Sequence, residues 1–264
     1  MNNRMISLPL LRRLVLAAAA LACALPLTLT QAQASPFNWI AGEKIQGSGN
    51  MTRQTRELAH FTAVSLNLPG KLELRIGNTE SVSIETDDNL LPLIESVIED
   101  GMLKLRPAKR NLNLQPRNLR IVVQARSVDQ IKLGGSGSIE SDALKGDKLR
   151  FEIGGSGSIN VKGLDGDSAV VAIGGSGNLR SGPGKVNRVS VSIGGSGDVD
   201  LGQVRAQDAS VNVAGSGEAL VWASNSLSAS IAGSGDVKYY GDPKTSKSVA
   251  GSGTLRRMGD APGK

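Results

Sequence analysis

The chain has 264 residues, a formal net charge of +6, 33 glycines and only 3% aromatic residues. That charge falls by three if Arg4, Arg12 and Arg13 leave with an N-terminal leader. Basic and acidic residues are then nearly equal in number, which argues against a nucleic-acid-binding protein, because such a protein needs a clustered basic face. The only cysteine is Cys23, which excludes an intramolecular disulfide and a cysteine-based zinc site. A core of small aliphatic side chains suits thin stacked coils better than a bulky globular interior.

Residues 1–34 have the organisation of a secretory signal peptide. Three arginines form a basic n-region, residues 14–29 form an apolar run, and Ala32-Gln33-Ala34 is a small-x-small cleavage site. We therefore predict cleavage after Ala34 and export to the periplasm, the cell surface or the medium.

Two alternatives for this leader remain open. An uncleaved membrane anchor would need a longer run than this one, which Pro26 interrupts. Lipidation at Cys23 would need a better lipobox than Ala20-Leu21-Ala22, in which the leucine sits one place too late. After cleavage we expect no stable membrane span.

Residues 51–130, which follow a short lead over 35–50, alternate apolar and polar side chains at period two. This alternation predicts short, irregularly spaced strands separated by turn dipeptides. The apolar positions of these strands are Phe61, Val64, Leu66, Leu68, Leu72, Leu74, Ile76, Val82, Ile84, Val97, Ile98, Leu103, Leu105, Leu119, Ile121 and Val123.

Three interruptions carry predictions of their own. Residues 88–94 predict a single helical turn with Asp88 or Asn89 as its N-cap. Asp100-Gly101 predicts the turn of a β-hairpin. The polar stretch over 107–116 predicts a loop.

Gly-Ser-Gly triplets recur through the second half of the chain at intervals of 20, 20, 20, 20, 18 and 18 residues. Such a period over seven copies is typical of a solenoid in which each repeat is one coil. We predict an all-β fold, a single-stranded parallel β-helix (β-solenoid) with about 20-residue coils. It would span 51–256, with the repeats at 131–256 and a tail at 257–264. An eighth triplet, around Ser48, lies outside the register. The central serines of the seven are Ser136, Ser156, Ser176, Ser196, Ser216, Ser234 and Ser252.

Alignment on these serines predicts which side chains face the core. Three columns are aliphatic and one is mixed, so alternation along each strand places the three inward and the mixed one outward. Mixed signs in the outward column avoid a like-charge ladder. The inward columns are Phe151, Val171, Val191, Val211; then Leu133, Ile153, Ile173, Ile193, Val213, Ile231, Val249; then Ile139, Ile159, Leu179, Val199, Ala219, Val237, Leu255. The outward column is Glu140, Asn160, Arg180, Asp200, Leu220, Lys238, Arg256.

The glycines of each triplet predict a tight corner, because glycine allows positive φ and close backbone approach. The serine between them is small and can hydrogen-bond backbone groups or the serine of the next coil. The alternative interpretation makes the same ladder a flat ligand surface.

No motif predicts catalysis, a cofactor or a metal. The repeats place an aliphatic residue where the calcium-binding nonapeptide needs aspartate, and they lack the closing residues of a P-loop or a dinucleotide fingerprint. A nucleophile elbow is also absent, and the single histidine, His60, is expected at the surface or a sheet edge. Asp198 and Asp200 are the best carboxylate pair for a hydrolase, but we interpret them as part of a solvated face.

One aromatic cluster predicts a ligand contact. Trp222 and Tyr240 share a column in adjacent coils, and Val221 and Tyr239 form the neighbouring column of opposite parity. If Trp222 and Tyr240 face outward, their rings form a platform on which a saccharide or peptide can stack, with Tyr239 beside it. The alternative is that these rings only cap the last coils.

Short motifs follow one another in a fixed order from residue 47 into the first repeat. They are Gly47-Ser48-Gly49-Asn50, Arg56, Phe61-Thr62-Ala63-Val64, Leu72-Glu73-Leu74, Val82-Ser83-Ile84-Glu85, Asp87-Asp88-Asn89-Leu90-Leu91, Glu99-Asp100-Gly101-Met102-Leu103 and Ile131-Lys132-Leu133-Gly134-Gly135-Ser136-Gly137. This ordered set resembles the bacterial putative auto-transporter adhesin head domain, or head GIN domain, over roughly residues 45–255. The resemblance implies a β-helical fold and a cell-surface or periplasmic setting, and it brings no catalytic residue. Residues 240–264 are short and polar, so we expect no translocator segment there.

Together these observations predict an exported, non-enzymatic, adhesin-like protein that presents an extended surface to a glycan or a cell-surface protein. One alternative is an envelope or matrix structural protein that associates end to end through exposed coil edges. Another is a polysaccharide-active β-helix enzyme.

Overall fold

A computed structural model of the chain describes residues 43–262, so the predicted signal peptide, including Cys23, lies outside the described residues. The described part is a β-solenoid of about six turns with coils of roughly 20 residues, which confirms the predicted fold class. Within residues 43–262, no helix has the length and apolar character needed to cross a membrane.

Short strands build the whole of this part of the chain. Nine precede the repeats: β1 (Glu43–Gln46), β2 (Met51–Glu57), β3 (Ala63–Leu66), β4 (Lys71–Ile76), β5 (Ser81–Asp87), β6 (Ile94–Glu99), β7 (Met102–Pro107), β8 (Leu112–Gln115) and β9 (Arg120–Ala125). The repeats hold β10 (Gln130–Leu133), β11 (Ser138–Ser141), β12 (Leu144–Ile153), β13 (Ser158–Val161), β14 (Leu164–Ile173), β15 (Asn178–Ser181), β16 (Gly184–Ile193), β17 (Asp198–Gly215), β18 (Glu218–Gly233), β19 (Asp236–Tyr240), β20 (Lys244–Gly251) and β21 (Thr254–Gly259). Strand β21 thus runs past residue 256.

Each 20-residue coil contributes three segments to three parallel ladders. In the coil after Ser136 these are β11, the start of β12 over 144–146 and the end of β12 over 148–153. The ladder skips Asp147, which marks the corner inside β12. We call the ladder that contains 148–153 face 1, the one that contains β11 face 2, and the one that contains 144–146 face 3.

The predicted inward columns form the core. Phe151, Ile153 and Ile159 are each at most 2% exposed, and their counterparts in later coils are equally buried as far as the last coil, where Val249 and Leu255 are partly buried. The ladder pairs the predicted column members directly, for example Ile159 with Leu179. Because successive strand residues point to opposite faces, the in-register ladders of face 1 and face 2 together bury all three columns.

The N-terminal strands stack in an order that differs from their order in the chain. Strand β4 pairs in parallel with β11 on one side and with β9 on the other, and β3 likewise lies between β10 and β7. Antiparallel strands close this end, because β5 pairs with β9, β2 with β5, and β6 with β7. The β6–β7 turn, with positive φ at Asp100 and Gly101, confirms the predicted hairpin.

The out-of-register triplet around Ser48 belongs to a clamp at this end. The buried carboxylate of Asp87 accepts hydrogen bonds from the backbone N–H groups of Gly49, at 2.7 Å, and Arg117, at 3.0 Å. A Cβ at Gly47 would lie 2.3 Å from the same carboxylate, so this position needs glycine. The clamp joins segments that lie about 40 residues apart in the chain.

The predicted helical turn is present, but its predicted cap and the predicted loop over 107–116 are wrong, and long-range contacts explain both. The helical turn is a 3-10 turn, Leu91–Leu93, and its N-cap is Leu90. Asp88 and Asn89 do not cap it, because their side chains bond Ser48 instead. The predicted loop over 107–116 contains β8, which pairs in parallel with β1.

The corners confirm the predicted close approach. A Cβ at Gly175 would lie 2.3 Å from the carbonyl oxygen of Gly155 in the preceding coil, whereas a Cβ at Gly174 would meet nothing within 4 Å. Positive φ enters this position only in the later coils, from Gly215 onward.

The predicted bonding of the corner serines is wrong. Their side chains are exposed, and the hydroxyls find no protein partner within the described residues. The cross-coil hydrogen bond comes from the serine backbone instead, as from the Ser176 N–H to the Gly155 oxygen at 3.2 Å.

The C-terminal end of the solenoid is closed by charge. Strands β20 and β21 each pair on one side only within the described residues, which leaves a strand edge at this end. Lys247 occupies the inward column that holds Val211 and Ala229 in the preceding coils, and Arg257 follows Tyr239 in another inward column. Inward-pointing charges on an edge strand oppose the addition of another strand.

Gly174→Ala and Gly175→Ala form a matched pair that tests the corner. We expect Gly175→Ala to lower the free energy of unfolding by about 1–3 kcal/mol, because its methyl group overlaps a backbone carbonyl. Gly174→Ala should leave stability unchanged or raise it by about 0.4–1 kcal/mol, since it only restricts the unfolded chain. Urea unfolding followed by circular dichroism measures both. Equal losses in the two variants would contradict the role of close approach.

Replacement of Lys247 tests the charged end. We expect Lys247→Val to form end-to-end oligomers whose mass grows with concentration, because it restores an aliphatic column at an unpaired edge. Light scattering measures the mass. Lys244→Val is the control, since it removes the same charge from an outward position of the same strand. Growth of both variants, or of neither, would contradict a specific role for the inward charge.

Candidate functional site

The aromatic cluster lies where the coils shorten from 20 to 18 residues, and its orientation is now defined. Val221 is 1% exposed, and Tyr239, which follows it in the inward column, packs against the core. Trp222 and Tyr240 therefore form the outward column, and they are directly paired and half-buried. Tyr239 lies on the same strand but on the opposite side, so the outward platform contains two of the three candidate residues.

Arg205 extends this column, although its sequence pattern did not predict a place in it. It pairs with Trp222 in the β17–β18 ladder, and its guanidinium carbon lies 5.8 Å from the centroid of the Trp222 ring. This distance is within the range of a cation–π interaction. We call Arg205, Trp222 and Tyr240 the aromatic corner.

The shortening of the coil explains why serine alignment missed Arg205. Counting from the corner serines places Trp222 against Gly202, but the ladder shifts so that residues 202–204 have no partner in the next coil. Trp222 therefore moves onto the rung of Arg205. The signal available in the sequence was the shorter interval itself, which reports a deletion but does not locate it within the coil.

Two further irregularities lie beside the aromatic corner. The ladder shifts again beside Tyr240, which pairs with Gly259 and leaves Met258 as an extra, 43% exposed residue. Such bulges redirect side chains and are frequent next to functional sites. Gly241, with φ of 98°, lets the last coil approach closely, because a Cβ there would lie 2.0 Å from the Ala223 oxygen.

A polar groove of about 370 Å³ adjoins the aromatic corner on face 3. Its rim is exposed and consists of Lys185, Arg205, Gln207, Ser224 and Asn225. The Ser224 hydroxyl donates to the Ala206 oxygen at 3.0 Å. The groove thus offers two cations together with amide and hydroxyl groups beside half-buried, outward-facing aromatic rings.

Asp208 lies next to the polar groove and accepts hydrogen bonds from two side chains. The Ser226 hydroxyl and the Asn225 amide donate to its carboxylate. These hydrogen bonds, that of Ser226 most strongly, and the positive charge of Arg188 lower the pKa of Asp208 below its usual range. Asp208 therefore stays ionised and holds Asn225 in place.

A second groove, of about 380 Å³, crosses face 1 over four coils. Its floor is the buried side chains Ala169, Val189 and Ala209, and serines such as Ser190 and Ser210 line it. It is shallow and has small side chains, so it offers fewer directional contacts than the aromatic corner.

The carboxylate pair considered for hydrolysis is held in structural contacts. Asp198 accepts a hydrogen bond from the Glu218 N–H at 3.1 Å. Asp200 accepts one from the Gly202 N–H at 3.1 Å and lies 3.2 Å from Arg180. His60 is 61% exposed in its side chain and bonds Glu80, as expected of a surface residue. Over residues 43–262, no group of three His, Cys, Asp or Glu side chains is placed to hold a metal ion.

Comparison with known proteins points to one family. The family model described as "Putative auto-transporter adhesin, head GIN domain" matches residues 60–243. A crystal structure of a "putative lipid binding protein" from Parabacteroides distasonis ATCC 8503 is 28% identical, with a TM-score of 0.69, over 82% of this chain and 100% of its own. Two structures share the fold: a "putative adhesin" from Bacteroides fragilis NCTC 9343 (23% identity, TM-score 0.76, 81% and 100% coverage) and one from Parabacteroides merdae ATCC 43184 (20%, 0.64, 82% and 100%). No curated protein matches the chain.

Proposed function

The chain belongs to the family described as "Putative auto-transporter adhesin, head GIN domain", and on that premise we propose that it is an exported, non-enzymatic binding protein whose aromatic corner holds a glycan. The observation that carries this proposal is the outward, directly paired column of Trp222 and Tyr240. The adhesin-like family and the predicted signal peptide both support a setting outside the cytoplasm.

The chemistry of the aromatic corner fits a saccharide. A sugar ring has an apolar C–H face, which packs on an aromatic ring, and hydroxyl groups around its edge, which need polar partners. Trp222 and Tyr240 supply the rings on rungs about 4.8 Å apart, and the polar groove supplies amide, hydroxyl and cationic groups beside them. The rigid solenoid holds all these groups in place, so binding would cost little ordering of the protein.

The two alternatives have less support. End-to-end assembly would have to overcome the inward charges of Lys247 and Arg257 at the C-terminal edge. Polysaccharide hydrolysis would need a free carboxylate pair, but Asp198 and Asp200 are bound to backbone N–H groups and to Arg180. Turnover of a polysaccharide that Asp198→Asn abolishes would overturn the non-enzymatic assignment.

Trp222→Ala tests the aromatic corner. We expect it to weaken glycan binding by about tenfold or more, because stacking on the outward-facing ring is lost. A glycan array identifies a ligand, and titration calorimetry with that ligand then measures the affinity of each variant. Trp222→Phe should retain part of the binding, since it keeps a ring at this position.

Tyr239→Leu is the matched control, because it removes a neighbouring ring that faces the core. It should leave the affinity unchanged, whatever it does to the thermal midpoint. Loss of stability in Trp222→Ala with unchanged glycan binding would show that these rings only cap the last coils, and it would contradict the proposal. Vesicle binding that no aromatic variant changes, together with silence on the array, would favour a lipid ligand and contradict the proposal.

A further inference from the structure

Lys185 and Arg205 form an unusual rung on face 3. They pair directly in the β16–β17 ladder, and both side chains are exposed. Neither forms an ion pair within the part of the chain that the structure describes. Two positive charges therefore stand side by side at the edge of the aromatic corner.

Two other rungs also pair cations directly, Lys71 with Arg120 and Lys238 with Arg256, but Lys71 contacts Glu140 and Lys238 contacts Glu218. On other rungs a cation lies opposite a carboxylate. Lys132 lies 3.0 Å from Glu152, its partner in the ladder, and Arg180 lies 3.2 Å from Asp200, its own partner. Like charges directly opposite each other on neighbouring strands are destabilising. Asp165 is the ladder partner of Lys185 on its other side, yet neither Lys185 nor Arg205 forms an ion pair within residues 43–262. A bound anion would remove the repulsion between them.

The acidic residues nearest to this rung are already engaged. The Asp165 carboxylate accepts the backbone N–H of Lys185 at 3.0 Å. Asp208 accepts hydrogen bonds from Asn225 and Ser226. The Trp222 ring holds one side of the Arg205 guanidinium, whose N–H donors lie in its plane and stay available to a planar acceptor such as a carboxylate.

We propose that Lys185 and Arg205 bind the carboxylate of an acidic glycan whose sugar ring stacks on Trp222. The polar groove next to them supplies Gln207, Ser224 and Asn225 for the hydroxyls of the same sugar. This inference rests on the proposed glycan-binding function and names its ligand class as oligosaccharides that contain uronic acids. Carboxylates are spread along the rest of the solenoid, including the stacked Asp198, Glu218 and Asp236, so one cationic rung selects a local acidic group rather than a long polyanion such as nucleic acid.

The experiment compares uronic acid oligomers with their methyl esters, which differ only in charge. Titration calorimetry on the folded protein should show the acid form binding about tenfold more tightly than the ester. Lys185→Gln and Arg205→Gln should each weaken binding of the acid form about two- to tenfold, weaken binding of the ester much less and reduce the dependence of affinity on salt. Arg205→Lys, which keeps the charge, should retain more affinity than Arg205→Gln.

Lys145→Gln is the control, because Lys145 is an exposed cation in the same column, next to Asp165 and outside the groove. It should not change the affinity for either form. Equal binding of acid and ester, with both weakened by Trp222→Ala, would overturn this inference and leave the glycan-binding proposal intact. Acid-selective binding that depends on Lys185 and Arg205 but not on Trp222 would support the carboxylate site and overturn the stacking on Trp222. Binding of neither form would overturn this inference and leave the glycan-binding proposal to the array. Binding of single-stranded DNA in preference to the acid form would overturn both.

Discussion

The close approach of one coil's carbonyl group to the glycine of the next is the constraint on which the solenoid depends. At Gly155, Gly175 and Gly195, the space that a Cβ would occupy lies 2.3 Å from the carbonyl oxygen of the coil before. A side chain there would force the coils apart, so glycine at this position lets every coil turn at the same place. The strands on either side of the corner then pair in register. Because the coils share one register, residues at corresponding positions stack into columns, and their small side chains form a continuous aliphatic core.

The same constraint explains how far the sequence could be interpreted. Serine alignment predicted the inward columns correctly because, while the coils keep 20 residues, equal offsets from the corner are equal positions in the ladder. The alignment fails where a deletion falls inside a coil, and this is why Arg205 was not recognised as the partner of Trp222. The clamp of Gly49 on Asp87 was also beyond local patterns, because its two sides lie 38 residues apart. Local rules had assigned the neighbouring Asp88 and Asn89 to a helix cap.

Both ends of the solenoid are protected, by different means. Antiparallel strands β2, β5 and β6 cover the N-terminal end. Strands β3 and β4 lie between strands β7 and β9 on that side and the first repeat on the other. At the C-terminal end, the aliphatic columns finish in Lys247 and Arg257, and Arg257 donates to the Gly241 oxygen at 2.7 Å. Protected ends leave the lateral faces as the surface available to a partner. This arrangement is consistent with the lateral binding site proposed above.

A regular solenoid presents the same outline on every rung, so a discrete binding site requires a departure from regularity. Here the departure is a shift of the ladder after Val221, which leaves residues 202–204 without partners in the next coil and brings Trp222 onto the rung of Arg205. The bulge at Met258 adds a second shift of the ladder beside Tyr240. Charge departs from the repeat at the same place, because Lys185 and Arg205 pair directly and neither forms an ion pair within residues 43–262. Shape and charge thus depart from the repeat at the same corner, and their coincidence there is the strongest reason to place ligand recognition on it.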